Sequence, residues 1–275
     1  MTRRAAVALA LAAMAAIGAA GRPAASEPLY EAQAIVTGQG EANRLQGFAH
    51  CLEDVLVKVS GDPGLMGDRR LAALSANAAQ LVAGFDYHDR MSGIPVHDEQ
   101  GTRDRPYDLT VRFDAAKIDA ALRSLGIEPW TAARPRVVVF LAVRNGPTSL
   151  LVAADGDRGR DQRDSLIAAA YRRGVPVVLP TAQALAGAGL TFDRLSAVAP
   201  ARLNETARKL GGDLALAGRL TWIDPSREWS AEWRLAHEGS AHQWHRRSAT
   251  FDEAFRDALA GVAQILSGHG QPDRE

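Results

Sequence analysis

Two periods of apolar and polar positions run along this chain, and together they mark out its elements. From Glu41 to Val59 the apolar residues Leu45, Phe48, Leu52, Val55, Leu56 and Val59 recur at helical spacing, with Gln46, His50, Glu53 and Asp54 on the opposite side. Ser60-Gly61-Asp62-Pro63 supplies the Gly-then-Pro stop of a helix. Ahead of it, Leu29 to Thr37 reads as a strand broken by Gly38-Gln39-Gly40. A second helix is predicted from about Asp68 to Phe85 through Leu71, Leu74, Ala78, Leu81 and Val82. Asp86 to Arg105 is polar, has no period and contains Ser92-Gly93 and Gly101, so it reads as a long loop or an irregular hairpin. Tyr107, Leu109, Val111 and Phe113 then alternate with Asp108, Thr110 and Arg112, the pattern of a half-buried strand. Asp114 can cap a helix from Ala115 to Leu125, closed by Gly126.

The pattern breaks between Glu128 and Pro135, and the unbroken apolar run Val137 to Val143 that follows suits a strand covered on both faces. A polar loop is expected from Arg144 to Arg160, a helix over Asp161 to Arg173, a short strand over Val175 to Leu179 and a helix over Asn204 to Leu210. Three antiparallel strands are predicted at Asp213 to Ile223, Glu228 to Ala236 and Ala241 to Thr250, with turns at Asp224-Pro225-Ser226 and Glu238-Gly239-Ser240. A closing helix from Phe251 to Leu266 starts on Thr250 and Glu253 at capping-box spacing. The fold class read from this order is α/β or α+β, in two mixed subdomains over residues 27–130 and 134–267, with a frayed tail at 268–275.

Composition changes the picture at the amino terminus. Met1 to Arg4 is basic and Ala5 to Ala20 is small and apolar without a charge, which with Ala24-Ala25-Ser26 forms the pattern of a signal peptide over residues 1–26. Sixteen residues fall short of the roughly 20 that span a bilayer, so no integral membrane segment is expected after cleavage. Cleavage after Ser26 would remove three arginines and no acid, so the 32 basic side chains fall to 29 against 32 acidic ones. No basic excess remains for nucleic acid. The single cysteine, Cys51, cannot form an intrachain disulfide and lies far past the lipidation position of a lipoprotein. The expectation is a soluble, exported, periplasmic protein.

Candidate chemistry is sparse. Gly38-Gln39-Gly40 sits between a strand and a helix as a phosphate-binding turn would, but Asn43 stands where the third glycine belongs, so a plain turn and no cofactor are expected. His242 and His245 fall on opposite faces of a strand, which disfavours joint ligation with His237. The 86–108 loop is better stocked, with His88, Asp89, His97, Asp98, Glu99 and Asp104, of which His88, His97, Asp98 and Glu99 are the weak metal candidates. Their spacing is not that of a ligand set, which favours a partner-binding surface at His97, Asp98 and Glu99. No G-x-S-x-G nucleophile turn occurs, and Cys51 lies on the flank of an apolar helix face. Trp229 and Trp233 share one face of the middle strand, with Trp222 and Trp244 on its neighbours. That face is either packed under the helices or an exposed platform for a protein or glycan partner, and exposure of Trp229 and Trp233 decides between the two.

The blocks YEAQAIVTG, LEDVLVKVSGDP, YDLTVRFD, PWTAARPRVVVFLAV, RRGVPVVLP and GGDLALAGRL resemble those of the bacterial domain-of-unknown-function family 2066. That resemblance implies an exported proteobacterial protein and carries no assigned activity and no site residues. The second half is also similar in element order to the amino-terminal domain of TolB and to CsgG and LpoB, which implies a cell-envelope interaction module. The function expected is a non-enzymatic binding or envelope-assembly module engaging an envelope protein. The competing class is a metal-dependent hydrolase using the 86–108 loop.

Overall fold

The computed structural model describes residues 28–93 and 104–272. Its first half opens with strand β1 (Glu31–Thr37) and helix α1 (Glu41–Ser60), which ends on Gly61 in the left-handed conformation. Short helix α2 (Leu71–Ala76), strands β2 (Val82–Asp89) and β3 (Pro106–Phe113) and helix α3 (Ala115–Ser124) complete it. The sheet is antiparallel in the order β1-β3-β2. Leu109, Val111 and Phe113 of β3 are buried together with Phe48, Leu52, Val55, Leu56 and Val59 of α1 and Ile118 and Leu122 of α3. Asp114 caps α3 by accepting from the Lys117 N–H.

One expectation for this half is corrected. The helix expected from Asp68 to Phe85 is only α2 and a 3-10 turn at Ala78–Leu81, because Val82 onward pairs with β3. Leu71 and Ala78 do sit in the core as a helical face requires, yet the aromatic run at Phe85 and Tyr87 gains a ladder across the chain that local helical spacing does not report. Of the long loop or irregular hairpin read from Asp86 onward, the hairpin is what forms at its start, since β2 runs through Asp89 and pairs antiparallel with β3 with a register irregularity between Val82 and Gly84.

The second half comprises β4 (Val137–Asn145), β5 (Thr148–Val152), α4 (Arg160–Arg173), β6 (Val177–Val178), α5 (Ala182–Gly187), α6 (Phe192–Ala197) and α7 (Pro200–Lys209). It continues with β7 (Leu214–Ile223), β8 (Glu228–His237), β9 (Ser240–Ser248) and α8 (Phe251–Leu266). The sheet order is β5-β4-β7-β8-β9, with β6 pairing in parallel with the start of β4. β4 and β7 run parallel, while β7, β8 and β9 form an antiparallel meander. The unbroken apolar run of β4 is explained by layers on both faces. Val137, Val139, Leu141 and Val143 join the core beneath α4 and α8, and Val138, Phe140 and Ala142 join the core with α6 and α7. The molecule is α+β. The polar loop expected over Arg144 to Arg160 is corrected, since β5 returns along β4 after Gly146, whose φ is +56°. Asn145-Gly146 is itself a hairpin turn signal.

The tryptophan face is core. Trp229 is 7% exposed and Trp233 0%, and Trp229 meets Phe251 and Trp233 meets Phe255 edge-on beneath α8. The platform reading of Trp229 and Trp233 as partner-binding residues is therefore corrected: burial in an apolar layer outweighs exposure for large rings that a helix can cover.

The linker between the halves is clamped. The Trp130 N–H donates to the Val59 carbonyl at 2.8 Å, and Arg134 stacks on the Trp130 ring at 4.0 Å. Arg134 also donates to the carbonyls of Lys58, Arg173 and Gly174, so one guanidinium sits at the carboxyl ends of both α1 and α4. Those ends carry partial negative charge that a cation offsets.

A candidate binding cleft between the halves

Helices α1 and α4 meet at a single carboxylate. Asp54 lies on the polar side of α1, and Arg172 and Arg173 fall in the last turn of α4, where cations are favoured. Asp54 Oδ2 accepts from Arg172 Nε at 2.8 Å, and Asp54 Oδ1 lies 3.4 Å from Arg173 Nη1. The Arg173 side chain is 5% exposed and Asp54 16%. Burial is the largest influence on Arg173 and pulls its pKa down; Asp54 opposes that, and Arg172 and Arg256 add to it by repulsion.

This cluster divides two cavities. The larger, of about 960 Å³, is lined by His50, Glu53 and Asp54 of α1, the segment from Asp62 to Met66, the arginines of α4, the end of β9 and one side of α8. The second, of about 700 Å³, lies between Ala32 and Gln33 of β1, Lys58 of α1, and Ser165, Ile167 and Ala168 of α4. Asp54, Arg172 and Arg256 line both, so the two form one groove along the seam between the halves. Ile167, an apolar side chain at the edge of the second cavity, is 48% exposed. Nearby, Lys58 is buried against the Tyr171 ring at 4.6 Å and donates to the Glu31 carbonyl at 2.7 Å, and Tyr171 Oη donates to Glu31 at 3.0 Å. The second cavity thus has a rigid floor. The groove offers charges of both signs and hydrogen-bond donors carried on helices, which suits recognition.

The residues singled out from sequence lie elsewhere. His97, Asp98 and Glu99 are outside the described residues. His88 lies on β2 in register with Asp108, which in turn faces Ile35, on the sheet face away from α1. Asp89 is held by Arg105 at 2.9 Å and by the Met91 N–H at 2.8 Å. The Asp104 carboxyl packs over Gly38, where φ is +78°, so the glycine turn carries an acid where a phosphate would rest. His242 is depressed first by burial and then by His237, and its Nδ1 lies 2.9 Å from Gln271 Nε2. Among the described residues no group of three or more His, Cys, Asp or Glu side chains is placed to hold a metal ion. Cys51 is fully buried, and burial, reinforced by Asp54, pushes its thiol up to about 12.

Sequence reasoning placed Asp54 on a solvated helix face; it is instead the carboxylate that joins the halves, because α4 covers that face. No local signal announces this pairing, since two cations in a last turn are already favoured by the helix terminus and need no acid.

A family model described as a domain of unknown function (DUF8605) matches residues 24–131. It is another family than the one numbered 2066, and it ends before β4. No curated protein and no solved structure matches the chain. No helix among the described residues is long and apolar enough to cross a membrane.

Proposed function

We propose that the protein is an exported, periplasmic, non-enzymatic module that binds an envelope protein in the cleft between its halves. The observation that carries this reading is the groove itself. Two cavities of about 960 and 700 Å³ meet across Asp54, Arg172 and Arg256, and both halves contribute walls. Such seams are where ligands settle in two-part proteins. An exposed apolar side chain beside ordered charges gives a partner both an anchor and an orientation. Export is supported by the basic start and apolar run of residues 1–26.

Two measurements test the reading. Amino-terminal sequencing of the periplasmic fraction should give a chain beginning near Glu27; a full-length chain retained in the cytoplasm or inner membrane overturns export. A protein that co-purifies with the wild type from envelope extract should be lost from Ile167→Glu and retained by the far-side variant Arg208→Glu. Equal retention by both variants overturns the cleft as the binding site.

A further inference from the structure

The charges lining the larger cavity are not equally satisfied. Glu53 accepts from the Gly67 N–H at 2.6 Å, Asp62 from the Gly64 N–H at 2.8 Å, and Glu253 from the Ala249 N–H at 3.2 Å. Asp54 is shared between two arginines. The Arg173 guanidinium, by contrast, is buried with its donors poorly used. Its Nη1 reaches Asp54 only at 3.4 Å, its Nη2 points at Met66 Sδ at 2.9 Å, and its Nε has no hydrogen-bond partner. A thioether is a weak acceptor, and a buried donor left without a good one carries its full desolvation penalty. Met66 is 47% exposed, so the sulfur covering this guanidinium can turn into solvent without opening the core.

We infer that Arg173 is the receptor of an oxyanion site, at which a carboxylate or phosphate entering the cleft displaces Met66 Sδ and is held by the guanidinium fork. The planar N–H pairs of arginine match two oxygens of one carboxylate or phosphate, which is the group they hold best when desolvated. Arg172 and Arg256 line the same cavity, and of the carboxylates that share it Glu53, Asp62 and Glu253 each accept from a backbone N–H, while Asp54 is the acid paired with Arg173. The inference rests on the cleft being the site of the partner, and it adds the chemistry of recognition: the partner presents an acidic side chain or a chain terminus.

Thermal unfolding of the full-length protein at fixed ionic strength tests it, with chloride, inorganic phosphate, the peptide acetyl-Ala-Ala-Glu-Glu and its neutral amide acetyl-Ala-Ala-Gln-Gln-NH2 as probes. The acidic peptide should raise Tm by about 3–6 °C at ten times its Kd, while chloride and the amide peptide leave it unchanged. A rise with phosphate alone also supports the oxyanion site and assigns it to a free anion. Arg173→Gln should abolish the rise. Since that variant removes a buried partner of Asp54 and can fail to fold, Met66→Ala is the second arm: uncovering the fork should move the response to an at least threefold lower probe concentration. Indifference of Tm to phosphate and the acidic peptide, an equal rise with the amide, a rise retained by Arg173→Gln, or no tightening in Met66→Ala overturns the site. If that occurs while Ile167→Glu still loses the co-purified protein, the oxyanion site falls and the cleft reading stands; if Ile167→Glu retains the protein as well, both fall.

Discussion

Gly218→Ala tests most sharply whether the tryptophan face is core. Gly218 of β7 lies directly opposite Trp233 of β8. A methyl at Gly218 would stand 2.1 Å from Trp233 Cζ3, 2.7 Å from Cε3 and 3.0 Å from Cη2, whereas ordinary contact begins at 3.4 Å. The ring would have to retreat by about 1.3 Å, and it is 0% exposed with Phe255 edge-on behind it at 6.2 Å. Overpacking of a close-packed interior costs about 1–3 kcal/mol, and a rigid ring with no space behind it puts this site at about 3 kcal/mol. With a urea m value of about 2–3 kcal/mol/M, the midpoint should fall by about 1–1.5 M at unchanged m. Urea titrations followed by far-UV circular dichroism measure it. Gly187→Ala, where a methyl meets nothing within 4 Å, should change stability by less than about 1 kcal/mol, toward greater stability. In a Trp233→Leu background the Gly218→Ala penalty should drop below about 0.5 kcal/mol, since the clash is with the ring. A Gly218→Ala penalty below about 0.5 kcal/mol, or one undiminished by Trp233→Leu, would refute the reasoning.

Leu52→Ala should destabilise by about 2–5 kcal/mol through lost burial and a cavity, and His50→Ala, two residues away on the exposed side of the same helix, by less than about 0.5 kcal/mol, both read by urea titration. Asp54→Ala strands the buried Arg173 and should cost about 3–5 kcal/mol, whereas Asp86→Ala, which breaks an exposed pair with Arg112, should cost under about 1 kcal/mol. The Cys51 thiol titrates near 12 in the native state against 9.0 ordinarily, so the unfolded chain ionises first. Its contribution to stability is intact below pH 9 and is lost as pH rises from there toward 12, by about 1.4 kcal/mol per unit. Thermal unfolding between pH 9 and 11 should therefore fall less steeply for Cys51→Ala than for the wild type.

Elements whose own residues define a period were legible without the structure. α1, α3, β3 and α8 lie where the apolar spacing and caps put them, because each buries its own periodic face, and β4 lies where its unbroken apolar run puts it, because both of its faces are covered. β2 and β5 were hidden for opposite reasons. β2 continues the helical spacing of Leu71, Leu74 and Ala78 until pairing with β3 overrides it, and β5 carries only the short apolar run Leu150-Leu151-Val152 between a hairpin turn at Asn145-Gly146 and a charged stretch, too short to set a period. The short helices α5 and α6 have too few turns for a period to emerge. The cleft was illegible because it is made by distant residues. Asp54 and Arg173 are 119 positions apart, and no local pattern reveals that one answers the other. The tryptophans, by contrast, stated their own test, and burial decided it for the core.

A partner bound in the seam between the halves must touch residues of both. Site-specific photo-crosslinking in the native cell envelope tests this directly, with the photoreactive residue placed at Gln33, His50 or Ile167 around the groove, and at Arg208 on α7 behind the second sheet. The account predicts one crosslinked species common to the three groove positions and absent from Arg208. Crosslinks from Arg208 with none from the groove would contradict it.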